Sequence, residues 1–172
     1  MLQKEAIQKL LFKAGMSKEE IRYIFGGDLL GQLIATTFGI LEFEVPFFGL
    51  YGACSTMAQS LIMAASAVES GGAKVSACVT SSHFASAERQ YRFPLEYGGV
   101  RTPTAQWTVT GAGSCILKSL KKGICVARAT VGRIVDLGVS DANNMGAAMA
   151  PAAAQTLECY LEDTKTSPED YG

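Results

Sequence analysis

This chain has almost no charge imbalance: 15 Lys and Arg stand against 16 Asp and Glu, a net charge of −1. That gives no footing for broad nucleic-acid binding, which needs a basic face. The nearest thing to a basic patch is Lys118, Lys121 and Lys122, and three lysines beside a glycine read as a solvated turn. Histidine is nearly absent: His83 is the single copy, so any imidazole chemistry within this chain falls to it. The five cysteines form no CxxC pair and no Cys/His cluster with zinc spacing, which leaves no metal site to expect. Their number is odd and most lie in apolar segments, which points to free thiols in a reducing compartment. No apolar run reaches the ~18 residues a membrane span needs. Leu50 to Val68 comes nearest, but Gly52, Ser55, Gln59, Ser60 and Ser66 interrupt it, and a core strand followed by a core helix explains it better. Leu2 to Lys13 is amphipathic and charged, unlike the apolar centre of a signal peptide.

What the chain does have is apolar bulk. Hydrophobic residues make up 48% of it and charged ones 18%, with 18 glycines. At 172 residues it is about one domain. A domain near that size hides roughly 70% of its unfolded surface.

The most telling segment is Val45 to Leu61, with Cys54 near its centre. Its first part reads as a buried strand. Gly52 and Ala53 are small enough for a tight turn, and a helical pattern starts at Ser55. A thiol at a strand-to-helix elbow lies near the unpaired N–H groups of a helix start. Those groups and the helix dipole favour a thiolate. They also bind carboxylates and phosphates. The elbow therefore suits a nucleophile, an anion pocket, or both.

The remaining elements follow from periodicity and turn residues. Leu2, Ala6, Ile7, Leu10, Leu11 and Ala14 recur at helical spacing, and Gly15 ends that helix. Ser17 to Glu20 has the form of a capping box. Arg22 to Gly26 is a short strand, and Gly27 to Leu30 opens a helix that ends at Thr36 to Gly39, with Asp28 as its cap or as a ligand group. Phe43 to Leu50 is the next strand. The Cys54 helix runs to about Glu69 and stops at Gly71-Gly72; its apolar residues on every side mark it as buried. Lys74 to Thr80 is an unbroken apolar strand suited to a parallel sheet covered on both faces. Ser81, Ser82 and His83 lie just past its carboxyl end, where open α/β sheets bind ligands. Phe84 to Trp107 is a long connection, of the kind that is usually functional or disordered, and its aromatic residues speak against disorder. Strands are expected at Ser114 to Lys118 and Ile124 to Val135, and a helix at Ala147 to Leu161 with Pro151 in its first turn. Thr166 to Gly172 repeats the placement of Met16 to Tyr23, which suggests an internal duplication.

Each candidate site residue carries two readings. Cys54 is an activated thiol or a small apolar filler. His83 pairs with a ligand carboxylate, holds the Cys54 proton, or simply bonds to loop backbone. Ser55 and Thr56 donate to a carboxylate or cap the helix. Ser81 and Ser82 are further hydroxyl donors. Arg89 and Arg92 clamp a carboxylate bidentately or pair with Glu88 and Glu96. Tyr91, Phe93 and Tyr97 stack on an aromatic ring or anchor the loop. Gly111-Ala112-Gly113 reads as close backbone packing, because no GxGxxG follows.

Five separated motifs, in order, resemble the stage V sporulation protein AD family: Phe25 to Leu30, Tyr51 to Thr56, Thr80 to His83, Ala87 to Gly99, and Ala147 to Ala154. The resemblance runs the length of the chain. It implies a thiolase-like layered α/β/α fold with a mixed, mostly parallel sheet, truncated here. Residues 1–122 would be a first half lacking its opening strand, and 123–172 the start of a second. The family is understood to bind dipicolinic acid or its calcium salt for loading into the forespore, through a non-catalytic pocket. The implied ligand-binding set is Cys54, Ser55, Thr56, Ser81, Ser82, His83 and Arg89, with no cofactor and no nucleic acid. The implied partners are dipicolinic acid, other stage V sporulation membrane proteins, and a second copy in a homodimer when intact. The implied place is the forespore or spore, soluble or at the inner spore membrane. Two other functions stay open. One is acyl transfer of the ketoacyl-synthase type with Cys54 as nucleophile, for which the usual histidines and second cysteine would lie in the second half. The other is a scaffold for spore membrane proteins.

Overall fold

The computed structural model describes residues 1–31, 33–87, 96–97, 99, 103–104, 107–120, 123–141 and 144–171. It divides into two compact units, Met1–Ile124 and Cys125–Gly172.

In the first unit, helix α1 (Leu2–Ala14) ends at Gly15, whose φ of 61° is the left-handed conformation that glycine adopts without cost. Ser17 then closes a capping box with Glu20 around a short 3-10 turn. Strand β1 (Tyr23–Asp28) follows, then helix α2 (Ile34–Ile40), strand β2 (Phe47–Gly49), helix α3 (Thr56–Glu69), strand β3 (Val75–Ser82), a single helical turn α4 (Phe84–Ala87) and strand β4 (Gly111–Lys118). The sheet order is β2-β1-β3-β4. β1 runs parallel to both β2 and β3, while β4 is antiparallel to β3. The sheet is thus mixed and mostly parallel.

The central strands β1 and β3 are buried on both faces. Ile24, Ala77 and Val79 face one side, where they meet Ile7 of α1, Ile40 of α2 and Phe43. Phe25 and Cys78 face the other, against Ala64, Met57 and Leu61 of α3. A helix layer therefore covers each face.

Three boundaries differ from the periodicity. Gly27 and Asp28 extend β1 instead of opening a helix, because β1 pairs with β3 as far as Asp28 opposite Ser81. β2 is confined to Phe47–Gly49: Leu41–Phe43 forms a 3-10 turn and Glu44 takes a left-handed φ of 55°. β4 starts three residues earlier than Ser114. Along the connection expected at Phe84 to Trp107, residues 88–95, 98, 100–102 and 105–106 lie outside the described residues.

The second unit consists of residues 125–141 followed by α5 (Met145–Thr164) and a final 3-10 turn. The strand expected at Ile124 to Val135 is not formed: described residues 123–141 contain no helix or strand. An apolar run becomes a strand only by pairing its backbone groups, and no described segment pairs with this one. Pro151 is the seventh residue of α5, not part of its first turn, so the helix continues through it without that N–H. The ends of α1 and α5 share one geometry. Lys165 is left-handed like Gly15, and the amides of Thr166 and Met16 return to Leu161 and Leu11. Ser167 then forms a capping box with Asp170 as Ser17 does with Glu20.

Close approach of strands fixes one glycine. A Cβ on Gly26 would lie 2.1 Å from the Val79 carbonyl oxygen, whereas one on Gly113 in the same sheet would meet nothing nearer than Met57 Cε at 3.8 Å. Gly26→Ala should therefore cost about 3 kcal/mol of stability, and Gly113→Ala roughly 1 kcal/mol or less. Urea unfolding of the two variants of the intact protein measures the contrast, which vanishes if the β1–β3 spacing is not this tight.

Candidate functional site

The carboxyl ends of β1 and β3 and the elbow before α3 converge on one cavity of about 440 Å³. Gly52 to Ser55 make the elbow. Ala53 sits at φ 49°, a conformation that costs a residue with a Cβ and persists only when its surroundings hold it. Those surroundings are hydrogen bonds. Ser55 Oγ donates to Gly52 O at 2.8 Å, and Thr56 Oγ1 accepts from Gly52 N at 3.1 Å and donates to Ala53 O at 2.9 Å. The hydroxyls of Ser55 and Thr56 are thus spent on the turn. The turn leaves Cys54 exposed and bordering the cavity, at the start of α3.

The far wall comes from the sheet. Thr80, Ser81 and Ser82 end β3, and Gly111, Ala112 and Gly113 open β4. Ser82 Oγ donates to the Val109 carbonyl, which brings Val109 to the rim. Asp28 and Leu29, at the end of β1, complete it.

Behind this wall lies a buried polar knot. Gln3, 2% exposed, reaches from α1 and places Nε2 2.9 Å from each of Gly27 O, Thr36 Oγ1 and Ser81 Oγ. Asp28, 3% exposed, accepts from Leu30 N through Oδ1, and from Thr36 N at 3.0 Å and Thr36 Oγ1 at 2.6 Å through Oδ2. Thr36 is in the first turn of α2, so Asp28 caps that helix from six residues before its first residue. Ser81 Oγ accepts from Gln3 of α1, which ties the end of β3 to the α1 face of the sheet.

His83 borders a second, smaller cavity of about 140 Å³ that shares Asp28, Leu29, Ser81 and Ser82 with the first. Its Nδ1 accepts from Ala85 N at 3.2 Å, and its ring stacks on Phe84 with centroids 6.1 Å apart. Cys54 and His83 therefore stand on adjoining hollows, and among the described residues no hydrogen bond joins them. Of the expected set, Cys54, Thr56, Ser81 and Ser82 border one cavity, His83 the next, and Ser55 is turned into the elbow. Arg89, with Arg92, Tyr91 and Phe93, lies outside the described residues; Tyr97 is exposed.

The sequence points to Asp28 as a helix cap, which it is, but not to Gln3 as its partner in the knot. Gln3 sits four residues before Ile7 on the buried stripe of α1, so a polar side chain at a core position was the available signal. The glycines of β4, read as packing, also form the wall. A larger hollow of about 660 Å³ opens at the amino ends of the strands, but charges of both signs line it and Lys18 is already paired with Glu44 at 3.2 Å. It holds none of the candidate residues.

The model of the family "Stage V sporulation protein AD" matches residues 1–172. The stage V sporulation protein AD of Bacillus subtilis (strain 168) is 39% identical over 170 residues, 99% of this chain and 50% of that protein.

The chain belongs to the stage V sporulation protein AD family.

It spans about half the length of the curated relative it matches. Solved structures establish its fold. AbyA1, a tetronic acid condensing enzyme, superposes with a TM-score of 0.65 at 19% identity, over 96% of this chain and 56% of that one. The 3-oxoacyl-[acyl-carrier-protein] synthase III of Aquifex aeolicus VF5 does so with a TM-score of 0.56 at 20% identity, over 70% and 38%. The fold is the thiolase-like α/β arrangement of these ketosynthases. This member of the sporulation family has, among the described residues, no helix long and apolar enough to cross a membrane.

Asp28→Asn would turn an amide N–H toward the donors of Thr36 or withdraw one acceptor from them. We expect a loss of about 2 kcal/mol, read as a lower unfolding midpoint of the intact protein; an unchanged midpoint would show that the knot does not hold α2.

Proposed function

We propose that the cavity beside Cys54 binds dipicolinate, as its calcium chelate, during spore formation. The observation that carries this is the pairing of the α3 N-terminus with a hydroxyl wall across one cavity at the carboxyl ends of the strands. Such a site suits the carboxylate groups of a small ligand. A volume of about 440 Å³ is within the range of small-molecule sites. Thr80 supplies a hydroxyl and Ser82 Oγ an acceptor, Met57 and Leu29 supply apolar surface for a flat ring, and the glycines of β4 let it approach the backbone.

Charge favours the chelate over the free dianion. Among the described residues the cavity has no Lys or Arg on its wall and has one carboxylate, Asp28. A bare dianion beside Asp28 meets repulsion, whereas a neutral calcium complex does not. In this reading the protein acts in or at the forespore, together with other stage V sporulation membrane proteins.

A second reading has one observation in its favour: Cys54 is an exposed thiol on a strained turn, as a nucleophile requires. It is acyl transfer through a Cys54 thioester. Titration calorimetry on the intact protein separates the two. Binding of dipicolinate with equimolar calcium should weaken about tenfold in Cys54→Ala, and calcium should tighten it in the parent. Equal affinity at full occupancy removes Cys54 from the site. Covalent labelling by an acyl-thioester donor, lost in Cys54→Ser, would instead establish the enzyme.

A further inference from the structure

Cys78 and Cys115 lie away from the cavity's chemistry, and neither reading of the site uses them. They are directly opposite each other in the antiparallel β3–β4 ladder. Opposed residues in such a ladder have Cα atoms about 4.5–5.5 Å apart. That separation lies within the roughly 4.4–6.8 Å a disulfide spans. Both side chains belong to the face under α3, in one cluster with Phe25 and Ala64. The structure holds both as free thiols.

We propose that Cys78 and Cys115 form a cross-strand dithiol that a small hydroperoxide oxidises to an intramolecular disulfide. The two thiols have unequal roles. Cys78 is fully buried, whereas Cys115 is half-buried and is the one a reagent can reach. The hydrogen bond with Cys115 and then burial push the Cys78 thiol up, and the same bond holds the Cys115 thiol below its usual range. Cys78 Sγ also lies 3.2 Å from Ser60 O, a resting acceptor for its proton.

The chemistry balances with hydrogen peroxide as oxidant. The Cys115 thiolate attacks one peroxide oxygen, the O–O bond breaks, and hydroxide leaves, giving a sulfenic acid. The Cys78 sulfur then attacks Cys115 sulfur. The S–S bond forms, the S–O bond breaks, and the departing hydroxide takes up the Cys78 proton as water. Two thiols lose two electrons and two protons; one peroxide becomes two waters. A sulfenic acid beside a second thiol resolves this way in preference to further oxidation. The bridge ties β4 to β3 across the long connection between them and constrains the unfolded chain. Cys54, Cys125 and Cys159 are exposed and serve as internal comparisons.

The test uses the intact, folded protein treated with limiting hydrogen peroxide, blocked with iodoacetamide in denaturant, and digested without reduction. Mass spectrometry should find the Cys78 and Cys115 peptides joined, lighter by the two hydrogens lost, and separated again by dithiothreitol. The oxidised protein should unfold roughly 5–10 °C higher than the reduced one, and Cys115→Ser should abolish that shift. Recovery of Cys78 and Cys115 as alkylated peptides while the exposed cysteines are oxidised would overturn the proposal. So would a joined pair that forms only after unfolding. The parent's mass spectrum decides the matter even where the variant does not fold.

Discussion

One amide group organises the end of the sheet where the cavity lies. Gln3 Nε2 holds the last residues of β1, the first turn of α2 and the end of β3 to α1 at the same distance. Asp28 extends that hold by taking both the amide and the hydroxyl of Thr36. Buried polar groups are worth little as net stabilisers, but leaving one unpaired is costly. The knot therefore acts as a constraint: displacing α1, α2 or β3 there would strand several donors and acceptors at once. Among the described residues Gln3 Oε1 has no hydrogen-bond partner, a cost the arrangement carries. Ser81 inherits its orientation from this constraint, and through Ser81 so does the cavity wall.

The elements the sequence makes legible are those whose signals are local. The left-handed Gly15, the Ser17 capping box, the elbow at Cys54 and the apolar Ala77-Cys78-Val79 of β3 each announce themselves within a few residues. What stays hidden depends on distant partners. Gly27 and Asp28 look like a helix start, yet they remain strand because β3 offers backbone groups opposite them. Ile124 to Val135 looks like a strand, but no described segment provides the other half of its ladder. For the site, the elbow and the hydroxyls past β3 can be found by reading along the chain. The role of Gln3 cannot, because the three oxygens around its Nε2 come from 24, 33 and 78 residues away.

The two thiol locations differ in ways that separate their chemistry. Cys54 gains exposure from a turn whose hydroxyls face inward, and it stands at the edge of a cavity. Cys78 and Cys115 gain proximity from a ladder register that sets them opposite each other. Met57 links the two regions: it belongs to the cavity wall and also packs on the cluster that contains both sulfurs. A change in how β4 meets β3 would reach the cavity through that side chain and through Gly113, which sits two residues from Cys115.

Why the turn geometry after α1 recurs after α5 has a physical account that does not require similar side chains. A helix that must reverse toward a following extended segment ends in one left-handed residue, and a capped 3-10 turn then aims the chain. Glycine meets the first demand at Gly15 without cost, whereas Lys165 meets it against its Cβ. The repeat persists despite that penalty, and despite Asp170 replacing a glutamate at the equivalent cap position. Local sequence preference alone would not select a lysine there. The recurrence therefore lies in the turn geometry itself, which Lys165 and Asp170 adopt in place of a glycine and a glutamate.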